Sequence, residues 1–122
     1  MQDTTTTIQE LKDKVKTFLK ERDWEQFNDP KSVSISIAIE AAELLEKFQW
    51  VDNSKSKDEL EKHRTEVEHE IADVFNYLLI FCSQNNIDLA KAFENKLKIN
   101  EQKYSIEKCK GKSDKYTTYK KP

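Results

Sequence analysis

Apolar residues recur three and four positions apart along most of the chain, and this spacing predicts four helices. Thr7 and Glu10 have the spacing of a capping box, so the first helix begins after Thr7. Asp29 and Pro30 begin the second helix, because proline is favoured in a first helical turn. The third helix is charged in its first half and almost wholly apolar in its second half. The predicted helices span approximately residues 8–22, 30–50, 58–84 and 88–104.

The composition excludes several fold classes that the helical pattern alone would leave open. The 122 residues include one Gly and two Pro, too few for the tight turns of a sandwich or barrel. A single Gly is also too few for a Gly-rich phosphate loop or a dinucleotide-binding fold. Charged and hydrophobic residues each make up 36% of the chain, which is typical of amphipathic helices. We therefore predict an all-α protein with one domain over 1–107 and a basic tail, 108–122, that belongs to it.

Charge is distributed unevenly along the chain, although the formal net charge is only −2. The tail carries six lysines against Asp114, which leaves an acidic body, so we expect no nucleic-acid partner. No apolar run approaches the roughly 20 residues of a membrane span, and the polar start MQDTTTT is unlike a signal peptide. We expect a soluble cytoplasmic protein with no membrane partner. In it, Cys82 fills the core and Cys109 is an exposed thiol.

Two glutamates stand out because of their apolar surroundings. Glu40 and Glu43 are the only charges between Val33 and Leu45, and small or apolar residues occupy every face of this helix. A helix that is apolar all round is predicted to be buried. A buried carboxylate must be protonated, paired or bound to a metal, because desolvating its charge alone costs several kcal/mol.

The same pattern recurs on the third helix, where Asp73 is the sole charge between Ile71 and Ile87 and Glu70 lies one turn earlier. Residues three apart share a helix face, so a helical hairpin would bring both carboxylate pairs to one spot. Four carboxylates repel one another unless a cation holds them, and oxygen-only ligation favours Mg²⁺, or Mn²⁺, over zinc. Such a site suits phosphoanhydride hydrolysis, because Mg²⁺ binds phosphates and activates water.

Two other interpretations of the carboxylates start from the same residues. Lysines or arginines elsewhere could form buried ion pairs with them, which would suit a non-catalytic helical binding protein. A ferritin-like di-iron site needs a Glu-x-x-His motif on two helices, and Glu66-x-x-His69 supplies one. Because His63 and His69 lie on the same predicted helix, the di-iron interpretation fails, and we expect both histidines at the surface.

Several motifs together resemble those of the MazG-like, all-α nucleoside triphosphate pyrophosphohydrolases. Glu40-x-x-Glu43 followed by Glu70-x-x-Asp73 resembles the metal motif of that family. Further motifs resemble its dCTP pyrophosphatase branch, and they occur in order, with compatible spacing, over most of the chain. They are ERDWEQF at 21–27, FQW at 48–50, Lys96-x-x-x-Asn100-x-x-x-Tyr104 and Gly111-x-x-x-Lys115-Tyr116-Thr117.

The resemblance implies a reaction in which a nucleoside triphosphate and water give the monophosphate and pyrophosphate. Water attacks the α-phosphorus, Glu43 is a catalytic residue, and Glu46, one turn beyond it, is a candidate general base. The family also implies a helical hairpin that completes a four-helix bundle by forming a homodimer or homotetramer. Hydrolysis of dUTP or of phosphoribosyl-ATP is the alternative activity. The implied Mg²⁺ ligands are Glu40, Glu43, Glu70 and Asp73.

Aromatic residues in otherwise polar segments become candidates for a base pocket within this resemblance. Gln26 and Asn28 would read the polar edge of the base, and Lys96 and Asn100 would contact phosphates, with the basic tail closing over them. Val15 and Asn28 replace histidines of the animal dCTP enzymes in the region of base recognition. The predicted function is dCTP-preferring hydrolysis that cleans the nucleotide pool. The aromatics that would stack on the base are Trp24, Phe27, Trp50 and Tyr77.

Overall fold

The computed structural model of the chain describes residues 1–118 and is all-helical over that range, which confirms the predicted fold class. Three short 3₁₀ turns lie at Glu25–Phe27, Asn53–Lys55 and Tyr116–Thr118. The last four residues of the predicted basic tail lie outside the described residues. The helices are α1 (Ile8–Glu21), α2 (Pro30–Glu46), α3 (Ser56–Lys62), α4 (Arg64–Gln84), α5 (Leu89–Lys103) and α6 (Ile106–Cys109).

The helix starts agree with the sequence signals that predict them. The Thr7 hydroxyl accepts a hydrogen bond from the Glu10 backbone N–H at 3.1 Å, and the Glu10 carboxylate accepts one from the Thr7 N–H. At the start of α2, the Asp29 carboxylate accepts from the Ser32 N–H at 2.9 Å, and Pro30 occupies the first helical position. Both caps satisfy backbone donors that have no partner within their helix.

Two predicted helix boundaries are wrong. The second helix ends at Glu46 rather than near Trp50, because the N–H groups of Lys47 and Phe48 bond to carbonyls three residues earlier and tighten the chain into turns. The predicted third helix is two helices, because His63 leaves helical geometry with φ −122° and ψ 30°. No Gly or Pro marks this break in the sequence.

Packing of three helices forms the core of the compact unit Met1–Ile87. α2 lies antiparallel to α4, with Lys47 near Glu66 at one end and Val33 near Ile80 at the other. α1 packs across α4 and adds Leu19 to the buried cluster. Half-buried side chains surround the buried cluster of Leu19, Val33 and Ile80, and these are Val15, Ile37, Tyr77 and Phe81.

Within the single chain, α2 is buried on one face and not on every face, and burial of the other faces stays a prediction. Val33 is the buried residue of this helix, whereas Ile35, Ile39 and Leu45 are at least half exposed. Within one chain, α4 covers a single face of α2, and the other apolar faces stay in solvent. Cys82 fills the core as predicted, but Cys109 is half-buried rather than exposed.

A second compact unit begins at Asp88 and contains α5 and α6. The start of α5 agrees with the predicted helix start at Asp88, because the Asp88 carboxylate accepts a hydrogen bond from the Lys91 N–H at 2.9 Å. The Tyr116 ring of the tail packs edge-on against Tyr104 with centroids 5.8 Å apart, and the Lys103 ammonium lies over the same ring at 4.7 Å. The domain limits of 1–107 and 108–122 stay a prediction. Over the described part of the chain, no helix is long and apolar enough to cross a membrane.

Candidate active site

The α2–α4 hairpin brings three of the four predicted metal ligands together. Glu40 and Glu43 lie one turn apart on α2, and Glu70 faces them from α4. One carboxylate oxygen from each lies within 4.8 Å of the other two, and all three side chains are half-buried. We call these three residues the carboxylate triad.

Mutual repulsion dominates the electrostatics of the carboxylate triad. A hydrogen bond to the Glu40 carboxyl group, and the negative charge of that group, raise the pKa of Glu43 above its ordinary value. Partial burial raises the pKa of Glu70, and the charge of Glu43 raises it further. Glutamates that raise one another's pKa in this way form a site with an excess of negative charge, which a bound cation would neutralise.

One oxygen of the triad has no hydrogen-bond partner among residues 1–118. Glu40 Oε2 is buried and makes no hydrogen bond, although a buried carboxylate oxygen normally has a donor. A metal ion is one partner that satisfies such an oxygen. The donor set is oxygen alone, which suits Mg²⁺ or Mn²⁺. The triad therefore fits the divalent ion that the sequence predicts.

The other two predicted acidic residues lie beside the triad and are exposed. Asp73 is one turn beyond Glu70 on α4, and its charge contributes to the raised pKa of Glu70. Glu46 ends α2 one turn beyond Glu43, and its charge acts on Glu43 in the same way. The roles of Asp73 as a ligand and of Glu46 as a base stay predictions.

One lysine is part of the site and was missed by sequence reasoning. The Lys47 ammonium lies 3.2 Å from Glu66 Oε2 and 3.9 Å from Glu70 Oε1. This ion pair agrees in part with the alternative interpretation, in which Lys or Arg side chains neutralise the carboxylates. Lys47 reaches Glu70, but Glu40 Oε2 has no hydrogen-bond partner in the described part of the chain. Its position one turn after Glu43 is the sequence signal that could have identified it.

The loop after α1 holds Trp24 through a Schellman turn. The Trp24 N–H bonds to the Leu19 carbonyl at 2.9 Å and the Asp23 N–H to the Lys20 carbonyl at 3.1 Å. Asp23 adopts a left-handed φ of 54°, which glycine usually supplies. The Trp24 ring then packs edge-on against Phe18 at 5.9 Å and stays 47% exposed.

The two polar candidates for base reading already hydrogen-bond within this loop. The Gln26 amide donates to the Asp23 carbonyl at 3.0 Å and to its carboxylate at 3.2 Å. The Asn28 amide donates to the Trp24 carbonyl at 2.6 Å. These bonds use the NH₂ groups of both amides, and their role toward a base stays a prediction.

The aromatic residues predicted to stack on a base differ in how far they are buried. Tyr77 packs against the core, whereas Phe27 is 65% exposed and Trp50 is 90% exposed. Trp50 borders an open groove of about 510 Å³ whose other walls come from the turns after α2 and from α3. Over residues 1–118 this groove is not lined by Trp24, Phe27 or Tyr77. Its lining consists of Trp50, Val51, Asp52, Lys55, Asp58, Glu59 and Lys62.

The predicted phosphate-contacting residues lie on α5 in the second compact unit. Lys96 and Asn100 are one turn apart, with Lys96 exposed and Asn100 half-buried. They therefore present a donor pair on one helix face. Their role toward phosphate stays a prediction.

The chain is similar to known proteins over most of its length. Human dCTP pyrophosphatase 1 is 30% identical over 113 residues and the rat protein 31%; each match covers 91% of this chain and 66% of the relative. The crystal structure of a pyrophosphatase from Archaeoglobus fulgidus has a TM-score of 0.79 and 39% identity, covering 86% of this chain and 98% of that one. The model of the MazG-like family matches residues 35–118, which include most of α2, all of α4 and the whole triad. This chain therefore belongs to the MazG-like family.

Proposed function

We propose that the chain is a Mg²⁺-dependent nucleoside triphosphate pyrophosphohydrolase that prefers dCTP, with Mn²⁺ as a substitute metal. The observation that carries the proposal is the convergence of Glu40, Glu43 and Glu70 to within 4.8 Å in a half-buried hairpin. The names of its relatives support the reaction class, since they are dCTP pyrophosphatases and a pyrophosphatase. The products are the nucleoside monophosphate and pyrophosphate.

The metal would be held by the carboxylate triad together with Asp73. When bound, Mg²⁺ neutralises phosphate charge and lowers the pKa of a coordinated water. Glu43 and Glu46 are the catalytic residues of the proposal, and the exposed carboxylate of Glu46 takes the proton of the attacking water. Lys96 and Asn100 donate hydrogen bonds to the phosphates.

The base site consists of exposed aromatic surface with oriented amides beside it. Trp24, Phe27 and Trp50 offer π-faces that stack on a base, which contributes about 1–3 kcal/mol per base. Stacking does not distinguish bases, so the discrimination comes from hydrogen bonds to the polar edge. The carbonyl oxygens of Gln26 and Asn28 suit the exocyclic amino group of cytosine, which is a donor that thymine and uracil lack.

The proposal includes assembly into a homodimer or homotetramer. Ile71, Phe75 and Leu78 form an exposed apolar stripe on α4, and Ile35 and Ile39 form another on α2. Contiguous apolar stripes of this kind are typical of protein interfaces, and a second copy of the hairpin would complete a four-helix bundle. Light scattering at micromolar concentration should give at least twice the 14.4 kDa mass of the chain. A monomer mass would contradict the assembly.

The direct test is pyrophosphate release from a panel of nucleotides. We expect turnover with Mg²⁺, loss of turnover in excess EDTA, and the highest kcat/KM for dCTP among the canonical deoxynucleotides. A preference for dUTP would contradict the proposed dCTP preference and would support the alternative activity, dUTP hydrolysis. Absence of turnover with every nucleotide would support the non-catalytic binding protein instead.

A further inference from the structure

Lys47 places a positive charge at the edge of the carboxylate triad. It follows Glu43 by four residues, so the two side chains share one face at the end of α2. Its side chain is 29% exposed, and its ammonium lies between Glu66, at 3.2 Å, and Glu70, at 3.9 Å. The ammonium is therefore held by α4 rather than extended into solvent.

We propose that Lys47 is an internal competitor of the metal ion at Glu70, and that it thereby sets the affinity of the triad for divalent cations. Without metal, the ammonium neutralises part of the charge that the three glutamates concentrate in the hairpin. With metal, two cations compete for the same carboxylate, and repulsion moves the ammonium away from Glu70. The inference rests on the proposed metal site.

Because the Lys47 ammonium already contacts Glu66, it needs to move only a short distance when the metal ion displaces it from Glu70. Glu66 already accepts a hydrogen bond from Lys47, and this bond, together with the charge of Lys47, keeps the pKa of Glu66 below its ordinary value. Glu66 therefore stays ionised and can hold the ammonium when Glu70 binds the metal. Without Glu66, the Lys47 ammonium would keep only Glu70 of these two contacts. It would then compete more strongly with the metal ion for Glu70.

A second interpretation gives Lys47 a purely structural role. A lysine after the last helical turn stabilises a helix by its interaction with the helix dipole. Replacing it would then lower the stability of the fold and leave the affinity for Mg²⁺ unchanged. Measurement of the affinity itself therefore distinguishes the two roles.

The experiment is a calorimetric titration of the metal-free protein with Mg²⁺, without nucleotide. We expect Lys47→Met to bind Mg²⁺ about 3- to 10-fold more tightly than the unmodified protein, because a competing charge is removed. Lys31→Met is the matched control, since it removes the same charge from the opposite end of α2. We expect its affinity to stay within about 2-fold of the unmodified protein, because the distance to the triad exceeds the Debye length.

Two further variants test the mechanism of competition. Glu66→Gln should weaken Mg²⁺ binding about 3-fold or more, and Lys47→Arg should retain most of the unmodified affinity because it keeps the charge. Where Lys47→Met fails to fold, Lys47→Gln gives the same test with a polar tip. In the absence of metal, Lys47→Met should also melt at a lower temperature than Lys31→Met.

The outcomes separate this inference from the proposed function. Failure of the unmodified protein to bind Mg²⁺ in the titration would contradict the metal site itself. Mg²⁺ binding by the unmodified protein with equal affinity in Lys47→Met would overturn the competitor role alone. Equal tightening by Lys31→Met would show a general charge effect and would overturn it too.

Discussion

We call the carboxylate triad the metal half of the candidate site, and the loop and turn residues predicted to contact the base its base half. A single chain assembles the metal half more completely than the base half. The carboxylate triad is half-buried, lies on two packed helices and has its oxygens within 4.8 Å of one another. The aromatic candidates Trp24, Phe27 and Trp50 are 47%, 65% and 90% exposed and lie on loops and turns. A small ion needs a few oxygens at fixed positions, which one hairpin supplies, whereas a base needs walls on two sides.

This difference indicates where the proposed second copy matters. The apolar stripes of α2 and α4 lie on the same hairpin that carries the triad, and both are exposed in one chain. Association through them would order the surroundings of the site without altering the three glutamates. We therefore expect metal binding to depend little on assembly and base recognition to depend on it strongly.

The largest expected effect tests the metal half. Glu43→Gln should lower kcat/KM for dCTP at least about 100-fold, because it removes a ligand charge and keeps the side-chain volume. It should also raise the melting temperature of the metal-free protein, since the like charge of Glu40 no longer faces an ionised partner. Thermal melting in EDTA measures this second effect.

Glu68→Gln provides the control for that variant. Glu68 lies on α4, is exposed and pairs with Arg64 at 3.5 Å, outside the triad. We expect activity close to that of the unmodified protein and no rise in melting temperature. Normal turnover in Glu43→Gln would remove the triad from the mechanism.

An intermediate effect tests the base half. Trp50→Ala should raise KM about 10-fold, which corresponds to about 1.4 kcal/mol of lost stacking, with little change in kcat. Its melting temperature should not change, because the side chain is almost fully exposed. Trp24→Ala should by contrast melt at a lower temperature, because Trp24 packs on Phe18 at the end of α1. An unchanged KM in Trp50→Ala would exclude this tryptophan from the base site.

A smaller effect tests base reading. Asn28→Ala should reduce the ratio of kcat/KM for dCTP to that for dTTP several-fold, because the lost contact is specific to cytosine. Turnover of dTTP should stay nearly constant. Parallel losses for both substrates would instead indicate that Asn28 only supports the loop through its bond to the Trp24 carbonyl.

The sequence predicts the metal half better than the base half, for physical reasons. Helical period alone places Glu40 on the face of Glu43, and the cap at Asp29 fixes where α2 begins. The break at His63 and the early end of α2 depend on turn hydrogen bonds that no Gly or Pro announces. Which residues of α2 stay exposed in one chain could not be predicted, because periodicity does not say how many neighbours a helix has. Lys47 was missed because its role depends on Glu66 and Glu70 of another helix.

The smallest expected effect concerns the Asp29 cap at the start of α2, which follows the loop of Trp24 and precedes the helix of Glu40 and Glu43. Hydrogen bonds from the Ser32 backbone and side chain lower the pKa of Asp29 below its ordinary value of 3.8. The stabilisation is therefore complete above that value and is lost as the pH falls through the lower pKa of the folded state. Asp29→Ala should lower the melting temperature by several degrees at pH 7. The difference should shrink toward pH 3, and a constant difference would exclude the ionised cap as its cause.

The most direct test of the account is to identify the products of dCTP hydrolysis by ³¹P NMR, in Mg²⁺ and then in excess EDTA. We predict that dCMP and pyrophosphate appear together in Mg²⁺, with neither dCDP nor phosphate as the first product, and that EDTA stops the reaction. Formation of dCDP and phosphate, or equal turnover in EDTA, would contradict the assignment of this site as a metal-dependent pyrophosphohydrolase centre.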